Sequence, residues 1–265
     1  MDVIPFDPRR FRTAAASYAE GRPAYPPRLF RRIAELVGLG PNDRAMDLGC
    51  GPGPVAIGLA PHVGRVVAVD PEPEMLKAAA ERAAESGAAI ELALGSSYDL
   101  GPGWGRFRLV AMGRSFHWMD RADVLRRLDA MVEPGGAVVL LHDEHPDVPA
   151  NAWHARYREV VDRYAADDVG RRVRGSSAWA DHLAVLLDSP FRELERVSVY
   201  ARARPTLDVL ARRTESMSSV SRARLGPRAD ELAAEVREAV APFLRDGALD
   251  ELIAATALIA TRPEA

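Results

Sequence analysis

Five short apolar runs, at 44–48, 65–70, 89–94, 107–112 and 137–142, alternate with helical patterns over 54–60, 73–86 and 121–132. This alternation constrains the fold more than any other feature of the chain. Parallel strands need crossovers long enough to hold a helix, so strand–helix alternation selects a parallel sheet covered on both faces. Such sheets bind ligands beyond the carboxyl ends of their strands, where the strand order reverses. The chain's distinctive segments fall at those ends.

The first of them is Met46-Asp-Leu-Gly-Cys-Gly-Pro-Gly-Pro54, which places Asp47, Gly49, Cys50, Gly51 and Gly53 between a strand and a helix. Glycine there supplies positive φ and lets backbone press against a ligand. Asp70 closes the next apolar run, at the ~20-residue offset where nucleotide-binding βαβ units carry a ribose-gripping carboxylate. An adenosine-type ligand follows, unless Asp70 merely caps the next helix. The dinucleotide fingerprint calls for Gly or Ala where Pro54 stands. Here the third glycine comes one residue early, and Pro54 suits a first helical turn.

This Asp-x-Gly-x-Gly-x-Gly pattern resembles the class I S-adenosylmethionine (SAM) dependent methyltransferases. Asp70-Pro71-Glu-Pro-Glu-Met75, Ser115-Phe-His117-Trp118-Met-Asp120 and Val132-Glu-Pro-Gly-Gly136 follow in that family's order. The lead segment Tyr18-Ala-Glu-Gly-Arg22-Pro-Ala-Tyr-Pro26 and the stretch Thr214–Ser221 are similar to the trans-aconitate type of small-molecule methyltransferase. The resemblance implies an α/β Rossmann-like, doubly wound, seven-stranded sheet, mostly parallel with one antiparallel strand. It implies SAM as methyl donor and S-adenosylhomocysteine as product. Asp47, Gly49, Cys50, Gly51 and Gly53 would hold the methionine side and Asp70 the ribose. Pro71, Met75, Ser96, Ser97 and Ser115 would complete the cofactor site, with Tyr18 and Arg22 from a lid whose guanidinium clamps the cofactor carboxylate or an acidic substrate. Two positions depart from the family pattern. Gly95-Ser-Ser-Tyr-Asp99 replaces an acid that accepts from adenine, leaving Ser96 to accept and the Ser97 amide to donate. Arg108 stands where relatives carry Asp, altering a surface contact.

In-line methyl displacement draws on alignment and proximity. A general base is needed only for a protonated acceptor, and His117 is the candidate because imidazole titrates near neutrality; the other reading makes it a wall of the donor site. Trp118, His142 and Ser221 are the substrate-side candidates. His142-Asp-Glu-His145 invites a metal reading, but lacks the helical i,i+4 spacing of a zinc motif, so no metal is expected. A SAM-dependent rearrangement or cyclisation, or a catalytically silent SAM-binding protein, is the alternative.

The rest of the 265 residues reads as one domain, 1–265. Its core is about 40–142 with 190–203 and 252–262; cap elements lie at 11–37, 150–188 and 206–246. Helices are expected near 151–167, 177–188, 206–217 and 228–244, and the last two strands near 192–203 and 252–261. The insertion between those strands is too long for a hairpin loop and reads as a helical cap over the site. With 28% charged residues and a net charge of −3, nothing calls for nucleic acid. One cysteine allows no internal disulfide. No run is long enough for a membrane span, and no signal peptide is visible. The expectation is a cytoplasmic enzyme, monomer or homodimer, with a small-molecule acceptor.

Overall fold

Parallel strands covered on both faces read as continuous apolar runs, and the runs above become strands in that way. The computed structural model describes residues 3–7 and 21–263. In chain order the core is α1 (Pro27–Val37), β1 (Arg44–Leu48), α2 (Pro54–Leu59), β2 (Arg65–Asp70), α3 (Pro73–Ser86), β3 (Glu91–Leu94), β4 (Phe107–Gly113), α4 (Arg121–Asp129) and β5 (Val132–Glu144). There follow α5 (His154–Tyr164), α6 (Val169–Arg174), α7 (His182–Leu187), β6 (Glu193–Ala203), α8 (Leu207–Glu215), α9 (Arg222–Leu225), α10 (Arg228–Val240) and β7 (Glu251–Thr261).

These strands form one seven-stranded sheet in the order β3-β2-β1-β4-β5-β7-β6, with β7 antiparallel to both its neighbours. The doubly wound sheet expected from the sequence is present, and its order reverses between β1 and β4. Alternate residues enter opposite cores. Ala45, Val66, Leu109 and Val139 pack with α1 and α2; Met46, Val67, Val110 and Val138 pack with α4 and α7. A third cluster, built on Trp153, Val161, Leu210, Leu232 and Val236, joins α5, α8 and α10. The insertions on either side of β6 therefore bury a core of their own.

Boundaries differ from expectation in three places. Val132–Gly136, which precedes the apolar run 137–142 from which the fifth strand was expected, lies within β5. The β4–β5 register shifts between Phe107 and Leu109, making the segment an irregularity in a paired strand. Arg108 is not a mere surface contact, because its guanidinium donates to Val37 O at 2.8 Å and Pro134 O at 3.1 Å. The helix expected over 177–188 is only His182–Leu187. The unanticipated α6 is capped by Asp168, whose carboxylate accepts from Arg171 N at 2.9 Å. The first part of the expected 11–37 element lies outside the described residues.

Gly58, inside α2, tests propensity against packing. A Cβ there would lie 2.2 Å from the ring of Phe30, which is buried. Alanine in a helix interior gains about 1 kcal/mol over glycine, whereas overpacking a rigid core costs about 1–3 kcal/mol. Gly58→Ala is expected to lower the urea midpoint at unchanged slope; a raised midpoint would show that Phe30 can move aside.

Candidate functional site

The glycine loop sits where the strand order reverses, and its backbone is almost wholly committed to itself. Gly49 N and Cys50 N both donate to Val69 O, at 2.8 and 3.0 Å, and Gly53 N donates to Cys50 O at 3.0 Å. Gly51 N donates to the Asp70 carboxylate at 2.8 Å. Pro52 and Pro54 have no N–H to offer. Over residues 49–54 no amide remains to cradle a phosphate, which is what a dinucleotide or mononucleotide loop must supply. Close approach is available instead. Gly49, Gly51 and Gly53 all have positive φ, and a Cβ on Gly49 would lie 2.6 Å from Ser115 Cβ. A Cβ on Gly51 would meet only Met75 Sδ, at 4.0 Å; both residues line the cavity. The loop therefore suits a phosphate-free ligand that approaches backbone closely, a description that fits SAM.

Asp70 joins this loop to the next. One carboxylate oxygen takes the Gly51 amide and the other takes the Glu72 amide at 2.9 Å. It is not the cap of α3, since Glu72 holds that position and accepts from Glu74 N. Burial raises the Asp70 pKa, and the two amides oppose that rise.

A cavity of about 480 Å³ opens beyond the carboxyl ends of β1, β2, β4 and β5, a size typical of ligand sites. Of the sequence candidates, Gly49, Gly51, Asp70, Pro71, Met75, Ser96, Ser97 and Ser115 line it, as do Arg22, His117, Trp118 and His142. Tyr18 lies outside the described residues. Asp47, Cys50, Gly53 and Ser221 do not line the cavity, and each has a structural task instead. Asp47 Oδ2 accepts from Ala56 N at 2.9 Å, tying β1 to α2. Cys50 is buried, and burial followed by the nearby Asp47 and Asp70 raises its thiol pKa. Gly53 is the left-handed residue preceding α2. Ser221 is the buried residue preceding α9. Ser96 faces the cavity while its hydroxyl donates to Asp99 Oδ2 at 2.7 Å.

Sequence reasoning missed much of the far wall. Arg114 has a positive φ of 56°, strained for a side chain of its size. Its guanidinium donates to Asp143 and, at 2.9 Å, to Pro23 O, and stacks 4.5 Å over the Tyr25 ring. Burial pushes Asp143 up, but Arg114 and Arg22 beside it hold its pKa below the usual range. From the insertions, Tyr157 and Arg158 of α5, Arg171 and Arg174 of α6, and Arg213 of α8 reach the cavity. Arg213 and His145 both donate to the buried Glu251, His145 at 2.7 Å. Five of the chain's six histidines line the cavity: 117, 142, 145, 154 and 182. His154 and His182 are each pushed down to about 4 by burial first, with neighbouring cations adding to the shift. Phe6 also lines it, with its ring 5.3 Å from and edge-on to Tyr98. No local motif marks these residues; only the spacing of whole elements brings them together. Among the described residues, no group of three or more His, Cys, Asp or Glu could hold a metal.

Comparisons with known proteins agree with this geometry. Residues 45–136 match the methyltransferase domain family. An uncharacterised methyltransferase of Mycobacterium tuberculosis is 27% identical over 223 residues, covering 81% of this chain and 80% of the relative. A ubiquinone biosynthesis O-methyltransferase of Methylocella silvestris is 36% identical over 94 residues, 35% of this chain and 37% of that one. Among solved structures, a SAM-dependent methyltransferase of Thiobacillus denitrificans in complex with S-adenosylhomocysteine aligns over 99% of this chain and 100% of its own. Its TM-score is 0.54 and its identity 17%, a likeness of fold. Residues 45–136 thus carry a methyltransferase domain, and the chain has the fold of SAM-dependent methyltransferases.

Asp47 gives the site a pH signature. Fully buried, with Oδ1 lacking a hydrogen-bond partner, it has its pKa pushed up to about 7, by burial first and by the charge of Asp70, against the Ala56 amide. A folded pKa above the unfolded one contributes stability below pH ~4 that is lost as pH rises through about 7. Asp47→Asn keeps an acceptor for Ala56 N and cannot ionise. Its stability relative to the native chain should therefore improve between pH 4 and pH 8, by on the order of 3 kcal/mol. Urea unfolding of both proteins at the two pH values checks this; a gap that does not change would mean Asp47 is already ionised when buried.

Proposed function

We propose that the chain transfers the methyl group of SAM to a small-molecule acceptor bound in the outer part of this cavity, beneath a helical cap belonging to the same domain. SAM supplies a methyl carbon already activated by the adjacent sulfonium. The chain's own residues bind, align and exclude water. Asp70 is the acceptor for the ribose hydroxyls: each carboxylate oxygen takes one backbone amide and retains a lone pair for a hydroxyl. Gly49 and Gly51 give the methionine side close backbone approach, Ser97 and Met75 flank the base, and Arg22, which lines the cavity near Asp143, would pair with the amino-acid carboxylate. His117, on the turn after β4, is the candidate base where the acceptor arrives protonated.

The observation that carries the reading is that a loop with no free amide closes onto Asp70, and both line one cavity with the 115–118 turn. A small acceptor is favoured by the insertions, whose arginines and histidines narrow the outer part. The O-methyltransferase relative, which by name serves ubiquinone biosynthesis, points the same way.

Asp70→Ala should weaken SAM binding by about tenfold or more, a change of roughly 1.4 kcal/mol. Asp70→Asn, which keeps one carbonyl oxygen for a loop amide, should lose less. Calorimetry with SAM and with S-adenosylhomocysteine checks this, and an unchanged affinity in Asp70→Ala would remove the ribose assignment. Incubation with methyl-labelled SAM and a panel of small acceptors tests the reaction: methylation yields S-adenosylhomocysteine in step with labelled product.

A further inference from the structure

Six guanidiniums and four carboxylates line the cavity. Asp70 and Glu72 belong to the loops around the proposed ribose site, and Asp143 is held by Arg114. From the insertions, α5 and α6 bring Arg158, Arg171 and Arg174 to the cavity. Arg158 and Arg171 share a single oxygen of one carboxylate, Asp162, which does not line the cavity. Two guanidiniums on one oxygen leave a surplus of positive charge facing inward.

The same wall is made of flat rings. His117 and Trp118 lie 4.7 Å apart, centroid to centroid, and His182 is nearly parallel to His117 at 6.3 Å. His145 and His154 stack at 4.0 Å with an interplanar angle of 14°. Arg174 lies over Trp118 at 5.2 Å. Burial and neighbouring cations push His154 and His182 down to about 4, so these two rings are uncharged near neutrality. They then present aromatic faces rather than added charge.

We propose that the acceptor is a planar aromatic carboxylate, with its ring against these imidazole and indole faces and its carboxylate on the guanidiniums of Arg158 and Arg171. This rests on the methyltransferase reading and narrows its substrate class. Planar guanidinium and carboxylate groups match in a two-point hydrogen bond, and offset ring packing adds to it. SAM does not exhaust this wall, because it carries a single carboxylate and the wall brings several guanidiniums.

The test uses the full chain saturated with S-adenosylhomocysteine, titrated by ligand-observed NMR with benzoate, benzamide and cyclohexanecarboxylate. Benzoate should bind, with benzamide and cyclohexanecarboxylate each weaker by about tenfold. Arg171→Gln combined with Arg158→Gln should weaken benzoate by about tenfold and leave S-adenosylhomocysteine affinity, read by calorimetry, essentially unchanged. Arg158→Gln alone, at a half-exposed position, should shift benzoate in the same direction by less and guards against misfolding of the double variant. Equal binding of benzamide overturns the anionic assignment. Equal binding of cyclohexanecarboxylate overturns the aromatic one, and no binding of benzoate overturns both. Failure of the unaltered protein to bind S-adenosylhomocysteine would instead overturn the cofactor reading, and this proposal with it.

Discussion

The Asp70 carboxylate is the joint on which the site turns. By accepting the amides of Gly51 and Glu72 it fixes the loop after β1 against the loop after β2, at the place where the sheet reverses its order. Hydrogen bonds to a charged acceptor are stronger than neutral ones, and here they are made in a largely buried setting. Once Gly51 N is committed to Asp70, and Gly49 and Cys50 to Val69 O, the loop has lost the donors a phosphate would need. The choice of ligand chemistry is thus made by backbone hydrogen bonding rather than by any side chain on the loop.

From that joint the cavity changes character along its length. Its inner end has carboxylate oxygens and closely approachable backbone, which match hydroxyl donors and a cationic ligand. Its outer end has guanidiniums and the rings of His154 and His182, which burial pushes down to about 4. The helices of the insertions supply the outer end, and they are held by a separate apolar core around Trp153 and Leu210. The inner end is built on the sheet and the outer end draws on the insertions, so in the proposed reading the acceptor site varies independently of the cofactor site.

Much of the fold was legible because its signals are local. The apolar runs, Pro54 after Gly53, and Asp120, whose carboxylate accepts from Asp123 N at 3.1 Å to cap α4, each act within a few residues. Asp70 was legible by its distance from the glycines. Asp47 was misjudged because an acid beside a ligand loop and an acid tying a strand to a helix look alike in sequence; only burial separates them. The pairing of Arg114 with Asp143 was not legible because nothing near either residue announces the other, 29 positions away. Much of the histidine-lined wall was illegible for the same reason, since His154 reaches His145, and His182 reaches His117, only after the segment following β5 folds back.

The Arg213–Glu251 pair shows why the insertion covers the site at all. Buried ion pairs are weak evidence for stability, because desolvation offsets much of their attraction, so the role of this one is better read as register. Arg213 on α8 bonds Glu251 at the start of β7 and also donates to Gly21 O at 3.2 Å, while His145 beyond β5 takes the other approach to the same carboxylate. Apolar packing alone would let the cap slide over the sheet edge. A buried carboxylate with three donors aimed at it from two separate elements satisfies all of them in only one position. That position brings Arg213 and His145 together into the wall of the cavity.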